Sequence, residues 1–109
     1  MTITEWMVDS HETAKSKGWW DEPVKTFGDL VALMHSELSE ALEEFRKTGT
    51  DQPMYDVNGK PEGIAVEFAD VFIRMCDACQ RYGIPLEEAV MAKAAYNRTR
   101  SYRHGNKKI

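Results

Sequence analysis

Two pairs of acidic residues in this sequence have the spacing of metal ligands. Glu37 and Glu40 lie three positions apart in "HSELSEALEEFRK", and Glu67 and Asp70 lie three apart in "IAVEFADVFIRM". Residues three apart share one face of a helix, so each pair can direct both carboxylates to the same place. If the two helices are neighbours, the four carboxylates can bind a hard divalent cation. Ligation by oxygen alone favours Mg²⁺, with Mn²⁺ as the alternative, over iron or zinc.

Each pair also has a less specific interpretation. An E-x-x-E pair on an amphipathic helix is usually a solvated surface, and Glu43 nearby is assigned to solvent. Glu67 and Asp70 stand among apolar residues, where an unpaired charge would be very costly. Either a salt bridge, for instance to Arg74, or a bound cation must balance them. A di-iron site is disfavoured, because no Glu or Asp is followed by His three positions later.

The groups that could contact a substrate lie in other parts of the chain. Lys93, Asn97 and Arg100 follow one stripe of a helix, and their side chains suit phosphate binding. The alternative for this stripe is a basic helix end that complements the helix dipole. In "GWWDEP", Trp19 and Trp20 can each anchor the core or stack on a nucleobase, and we expect one of them to do each.

The groups described above must be positioned by helices, and N-terminal capping signals in the sequence locate the first two of these helices. Thr2, followed three residues later by Glu, forms a capping box for a first helix that runs to Gly18. Thr26 opens a second helix in the same way, and Gly49 ends it. The apolar stripe of this second helix consists of Leu30, Met34, Leu38, Ala41, Leu42 and Phe45.

Two further helices complete the predicted architecture. Residues 49–63 are rich in Pro, Gly, Asp and Asn and are predicted to form a loop. A third helix then extends from about Glu62 to Tyr82, and Pro85 opens a fourth that covers residues 86–100. The buried side of the third helix is predicted to contain Ile64, Phe68, Val71, Phe72, Met75 and Cys79.

The whole chain is predicted to be one all-α domain, 1–109, helical over about 1–100 with a polar basic tail over 101–109. Its net charge of −4 disfavours nucleic-acid binding. No apolar run approaches the roughly 18 residues of a membrane span. The N-terminus lacks the features of a signal peptide, so a cytoplasmic location is expected. Cys76 and Cys79 could form a redox pair or half a zinc site, but their helical context favours buried or half-buried reduced thiols.

With these elements in order, the chain resembles the MazG-like family of all-α nucleoside triphosphate pyrophosphohydrolases. The resemblance rests on "GWW", "HSELSEALEEFRK", "GKPEGIAVEFADVFIRM" and "KAAYNRTRSYRHGNK", which together span nearly the whole chain. The family motif resembles E-E-x-x-E, a spacer and E-x-x-D. Ser36 replaces its first Glu, and its last four acids are matched by Glu37, Glu40, Glu67 and Asp70.

The resemblance implies Mg²⁺-dependent cleavage of a nucleoside triphosphate between its α and β phosphorus atoms. In this mechanism Glu40 or Glu44 would accept the proton of the attacking water, and the Lys93, Asn97 and Arg100 stripe would hold the phosphates. The resemblance also implies a four-helix bundle completed in a homodimer or homotetramer, and the many apolar and aromatic side chains favour association as well. The alternative is a non-catalytic helical module that binds nucleic acid, a nucleotide or a partner protein.

Overall fold

The computed structural model describes residues 1–51 and 53–108, and every regular element in these ranges is a helix. Tyr55 and Pro61 form an isolated antiparallel bridge in the loop before the third helix. The prediction of an all-α chain with four main helices is therefore confirmed. The helices are α1 (Ile3–Ser16), α2 (Phe27–Thr48), α3 (Ile64–Tyr82), α4 (Leu86–Thr99) and the single turn α5 (Arg103–Asn106).

The helix ends follow the local signals in the sequence. Thr2 and Thr26 cap α1 and α2, and in both cases the carboxylate three residues later accepts a hydrogen bond from the backbone N–H of the cap. Helix α3 begins at Ile64, slightly later than predicted, because Gly63 precedes it with a φ of 102°. The predicted tail over 101–109 contains α5, and its last residue, Ile109, lies outside the described residues.

Helix α3 lies between α1 and α2 and is antiparallel to both. Met7 of α1 packs against Cys76 and Cys79 of α3, and this buried group is extended by partly buried neighbours. Burial raises the pKa of the Cys76 thiol to about 11 and also raises that of Cys79. Both cysteines are free and buried, in agreement with the predicted burial of these two side chains. The neighbours that extend the core are Ile3, Met75, Ile84 and Leu86.

Helix α4 packs at the edge of this layer. It contacts α1, and within the described ranges it makes no substantial contact with α2 or α3. None of its residues is buried. The single chain therefore does not close into a four-helix bundle, because α4 leaves the outer faces of α2 and α3 uncovered.

The apolar stripes of α2 and α3 are consequently buried only in part. Leu30 and Ala41 are each 5% exposed, as predicted for the second helix. Phe68 and Phe72, which were predicted on the buried side of the third helix, are 56% and 36% exposed. The far end of the α2 stripe is about half exposed at Leu38, Leu42 and Phe45. Among the described residues, no helix is both long enough and apolar enough to cross a membrane.

Candidate metal centre and adjoining cavity

Three of the four predicted metal ligands meet where α2 faces α3. Glu37, Glu67 and Asp70 each place a carboxylate oxygen within 4.8 Å of the others, and we call these three residues the acidic cluster. Glu40, one turn along α2, is exposed, but its carboxyl group interacts with those of Glu37 and Glu67. The sequence spacing thus located a real convergence of carboxylates between two helices.

Arg74 supplies positive charge beside the acidic cluster. Its Nη2 donates a hydrogen bond of 2.9 Å to Glu37 Oε1, although the sequence suggested Glu67 or Asp70 as its partner. Burial by itself would raise the pKa of Glu37. Hydrogen bonds, above all the one from Arg74, outweigh the effect of burial, so the pKa of Glu37 is lowered. The Nε atom of Arg74 is buried without a hydrogen-bond partner. The salt bridge therefore stabilises one acid of the cluster and leaves the others less well compensated.

Glu67 is the least compensated acid of the cluster. Its Oε2 is buried without a hydrogen-bond partner. Burial, hydrogen bonding with the Glu40 and Glu37 carboxyl groups, and the negative charges of Glu40 and Asp70 raise the pKa of Glu67 to about 7. Burial and the charge of Glu37 also raise the pKa of Asp70. A buried carboxylate oxygen without a partner is an available ligand for a cation.

A cavity of about 220 Å³ adjoins the acidic cluster. Its lining includes Asp70 and Arg74 as well as Trp19 and Trp20. We call it the tryptophan cavity. Apolar side chains from three helices also contribute to its lining, namely Ala14, Leu30 and Ile73. A cavity that combines apolar side chains with convergent polar groups is the usual form of a small-molecule site.

The two tryptophans have different environments. Trp20 is half-buried, donates a hydrogen bond of 2.9 Å from Nε1 to Asp77 Oδ1, and contacts the rings of His11 and Tyr82 edge to face. Trp19 is 63% exposed, with the Nζ of Lys25 5.3 Å from its ring centroid. Trp20 is therefore the anchor, and Trp19 has the accessible ring.

Sequence reasoning did not identify His11 and Asp77 as parts of this region. A hydrogen bond of 2.7 Å joins His11 Nδ1 to Asp77 Oδ1, and both residues are 9% exposed. A usable signal was present, because Asp77 stands on the apolar side of α3 between two cysteines and seven residues after Asp70. Lys17 and Lys25 also line the cavity and were not predicted.

Two residues of the predicted phosphate-binding stripe, Lys93 and Asn97, lie on α4, and Arg100 directly follows the last residue of that helix. Lys93 and Asn97 share a shallow groove on that helix, and Lys93 and Arg100 both lie beside the ring of Tyr96. Because α4 packs against α1, the structure does not bring this stripe to the cluster within one chain. The cations that line the cavity next to Asp70 are instead Lys17, Lys25 and Arg74.

The remaining acids of α2 also have distinct environments. Glu43 is exposed and forms an ion pair of 2.6 Å with Arg46, in agreement with its assignment to solvent. Glu44, the other candidate base, is half-buried.

Comparison of the chain with protein-family models, with curated proteins and with solved structures found no match.

Proposed function

We propose that this protein hydrolyses a nucleoside triphosphate to the monophosphate and pyrophosphate, as the MazG-like sequence motif suggests. The observation that carries the proposal is the acidic cluster at the edge of the tryptophan cavity. Three carboxylates within 4.8 Å of one another suit a divalent cation, and the adjoining cavity has an aromatic lining. Phosphoryl-transfer enzymes need this combination of a charged centre and a substrate-positioning pocket.

The residues of the acidic cluster fit Mg²⁺, and Mn²⁺ as the alternative. All the atoms that could ligate the metal are carboxylate oxygens, and Glu67 has a buried oxygen with no hydrogen-bond partner among the described residues. Glu37, Glu67 and Asp70 would hold the ion, with Glu40 as a fourth ligand. When bound, the ion neutralises charge on the phosphate oxygens and activates water for attack.

The other roles follow from what each side chain contacts. The exposed carboxylate of Glu40 interacts with the cluster and can take a proton from water, so we place the general base there in preference to Glu44. Trp19, with its accessible ring, is the candidate for stacking on a nucleobase. Lys17 and Lys25 add positive charge to the lining of the cavity and can attract an anionic substrate.

A panel of nucleotides tests the proposed function. The purified protein is incubated with each ribo- and deoxyribonucleoside triphosphate, with Mg²⁺ or with EDTA, and the products are separated by anion-exchange chromatography. Equal amounts of monophosphate and pyrophosphate are expected, and only with the metal. Release of diphosphate and inorganic phosphate would contradict the proposed bond cleavage. Stabilisation by nucleotides without turnover would favour the alternative of a binding module.

We also propose that the protein acts as a homodimer or homotetramer. The exposed stripes of α2 and α3 include Leu38, Leu42, Phe45, Phe68 and Phe72, which are 36% to 56% exposed. An apolar surface of this kind is typical of an interface between subunits. A second copy could also bring its α4 stripe to the cluster of the first, so that Lys93, Asn97 and Arg100 would reach the phosphates.

The Phe68→Glu variant tests this association. A charge at a half-exposed aromatic position of the interface must lose its hydration when the subunits meet, so the variant is expected to dissociate. Light scattering should give at least twice the chain mass of 12.5 kDa for the wild type and the chain mass for the variant. The matched control is Val57→Glu, at a fully exposed loop position, which should keep the wild-type mass. A wild-type protein of 12.5 kDa that is active would contradict the proposal.

A further inference from the structure

Asp77 is a buried carboxylate in the tryptophan cavity to which the proposed reaction gives no role. It is 9% exposed and lies on α3 between the buried residues Cys76 and Ala78. A carboxylate at this depth needs hydrogen-bond partners. Trp20 Nε1 donates to its Oδ1 at 2.9 Å, and a hydrogen bond of 2.7 Å joins the same oxygen to His11 Nδ1.

These two hydrogen bonds leave the other oxygen of Asp77 available. Among the described residues, no donor contacts Oδ2, and this oxygen is not one of the fully enclosed atoms that lack a partner. Asp77 itself lines the tryptophan cavity. Oδ2 is thus the oxygen of Asp77 that remains to accept a hydrogen bond from a ligand in the cavity. The bonds to Trp20 and His11 hold it in position, as the supporting contacts of a binding site do.

The position of Asp77 along α3 sets how far this acceptor lies from the acidic cluster. Asp70 and Asp77 both line the cavity, and seven residues of α-helix separate them by about 10 Å along the axis. Under the proposed function, the phosphates of a nucleotide lie at the Asp70 end. The part of the nucleotide that reaches the Asp77 end is then the edge of the base farthest from the sugar. That edge carries the substituent at position 4 of a pyrimidine or position 6 of a purine.

We propose that Asp77 is a specificity-determining residue that accepts a hydrogen bond from an exocyclic amino group of the base. This inference rests on the proposed function. Cytosine and adenine carry an amino group at this edge, whereas uracil and hypoxanthine carry a carbonyl oxygen. An amino N–H forms a charge-assisted bond with a carboxylate. A carbonyl oxygen at the same place would repel the carboxylate and leave it unpaired, so the amino bases are preferred.

The test compares substrates that differ mainly at this edge. The ratio of kcat/KM is measured for CTP against UTP and for ATP against ITP, and the wild type is expected to favour the amino member of each pair by about 10- to 100-fold. The Asp77→Asn variant can keep both hydrogen bonds through its Oδ1, while its amide nitrogen replaces Oδ2 and donates. Its preference should therefore reverse towards UTP and ITP.

The Trp20→Phe variant is the matched control for a purely structural role. It removes one donor to Oδ1 but leaves Oδ2 of Asp77 unchanged, so turnover of CTP and UTP should fall together and the preference should keep its direction. Equal turnover of CTP and UTP by the wild type would overturn the inference and leave the proposed function intact. An equal effect of Asp77→Asn and Trp20→Phe on the CTP to UTP ratio would do the same.

A binding measurement separates this inference from the hydrolytic activity. If no triphosphate is hydrolysed, the proposed function fails, and titration calorimetry with CMP and UMP in EDTA examines the cavity by itself. Tighter binding of CMP by the wild type supports the inference, and equal or absent binding overturns it. If Asp77→Asn does not fold, as judged by circular dichroism, the wild-type comparison of CTP with UTP decides.

Discussion

The Asp70→Asn variant is expected to lose about 10²- to 10³-fold in kcat/KM for triphosphate hydrolysis, the usual effect of removing one electrostatic group at a reacting centre. Of the three acids in the cluster, Asp70 alone also lines the tryptophan cavity, so it stands where the proposed ion and the substrate meet. Asn has a similar shape but supplies only one neutral oxygen ligand. Steady-state assays at saturating Mg²⁺ measure the loss.

Two further measurements show whether this loss is caused by the site or by misfolding. Burial and the charge of Glu37 disfavour ionised Asp70, so its replacement by Asn should not lower the melting temperature in EDTA. The rise in melting temperature on adding Mg²⁺ should become smaller. The control is Glu43→Gln, which changes an exposed acid of α2 that is paired with Arg46, and its activity should stay close to wild type. Full activity of Asp70→Asn would exclude Asp70 as a ligand.

The two acidic pairs could be predicted from the sequence because the geometry within each pair is local. Three-residue spacing fixes which helix face each pair occupies, and the direct packing of α2 on α3 brings the two pairs together. The caps at Thr2 and Thr26 could be predicted for the same reason, since a capping box involves only residues three apart. The residues within each acidic pair and each cap are close enough along the chain for helical periodicity to decide their arrangement.

Features that depend on packing between distant elements could not be predicted in this way. The spacing of Lys93, Asn97 and Arg100 predicts one helical stripe, but the helix ends at Thr99, and nothing in that spacing says against which helix α4 packs. The sequence of α4 carries no strong apolar side, and none of its residues is buried. The difference between Trp19 and Trp20 depends in the same way on Asp77, a residue 57 positions away from Trp20.

The stability of the metal-free protein is expected to fall as the pH rises from about 5 to 8, because of Glu67. Its pKa is about 7 in the folded chain, against an ordinary value of 4.5. Between these values the folded state holds a proton that the unfolded state has released, so the free energy of unfolding decreases with rising pH. One pKa unit corresponds to about 1.4 kcal/mol, which puts the full effect near 3 kcal/mol. The raised pKa of Asp70 acts in the same direction.

The Glu67→Gln variant isolates this effect from the titration of other groups. Gln cannot ionise, so the variant should lose the decrease between pH 5 and 8 and be the more stable protein at pH 8 in EDTA. Urea unfolding at one fixed protein concentration, at pH 5, 6, 7 and 8, gives the difference in the free energy of unfolding between the two proteins at each pH.

Mg²⁺ should stabilise the wild type more strongly as the pH rises, because the ion and the proton compete for the same carboxylate. It should stabilise Glu67→Gln far less. Parallel pH profiles for the two proteins would show that Glu67 is ionised at every pH measured. Repulsion between the carboxylates of the acidic cluster would then not destabilise the metal-free fold. The expected pattern, in which the substitution stabilises the metal-free fold and weakens its response to Mg²⁺, would show that the crowding of these carboxylates is a cost that a bound cation removes.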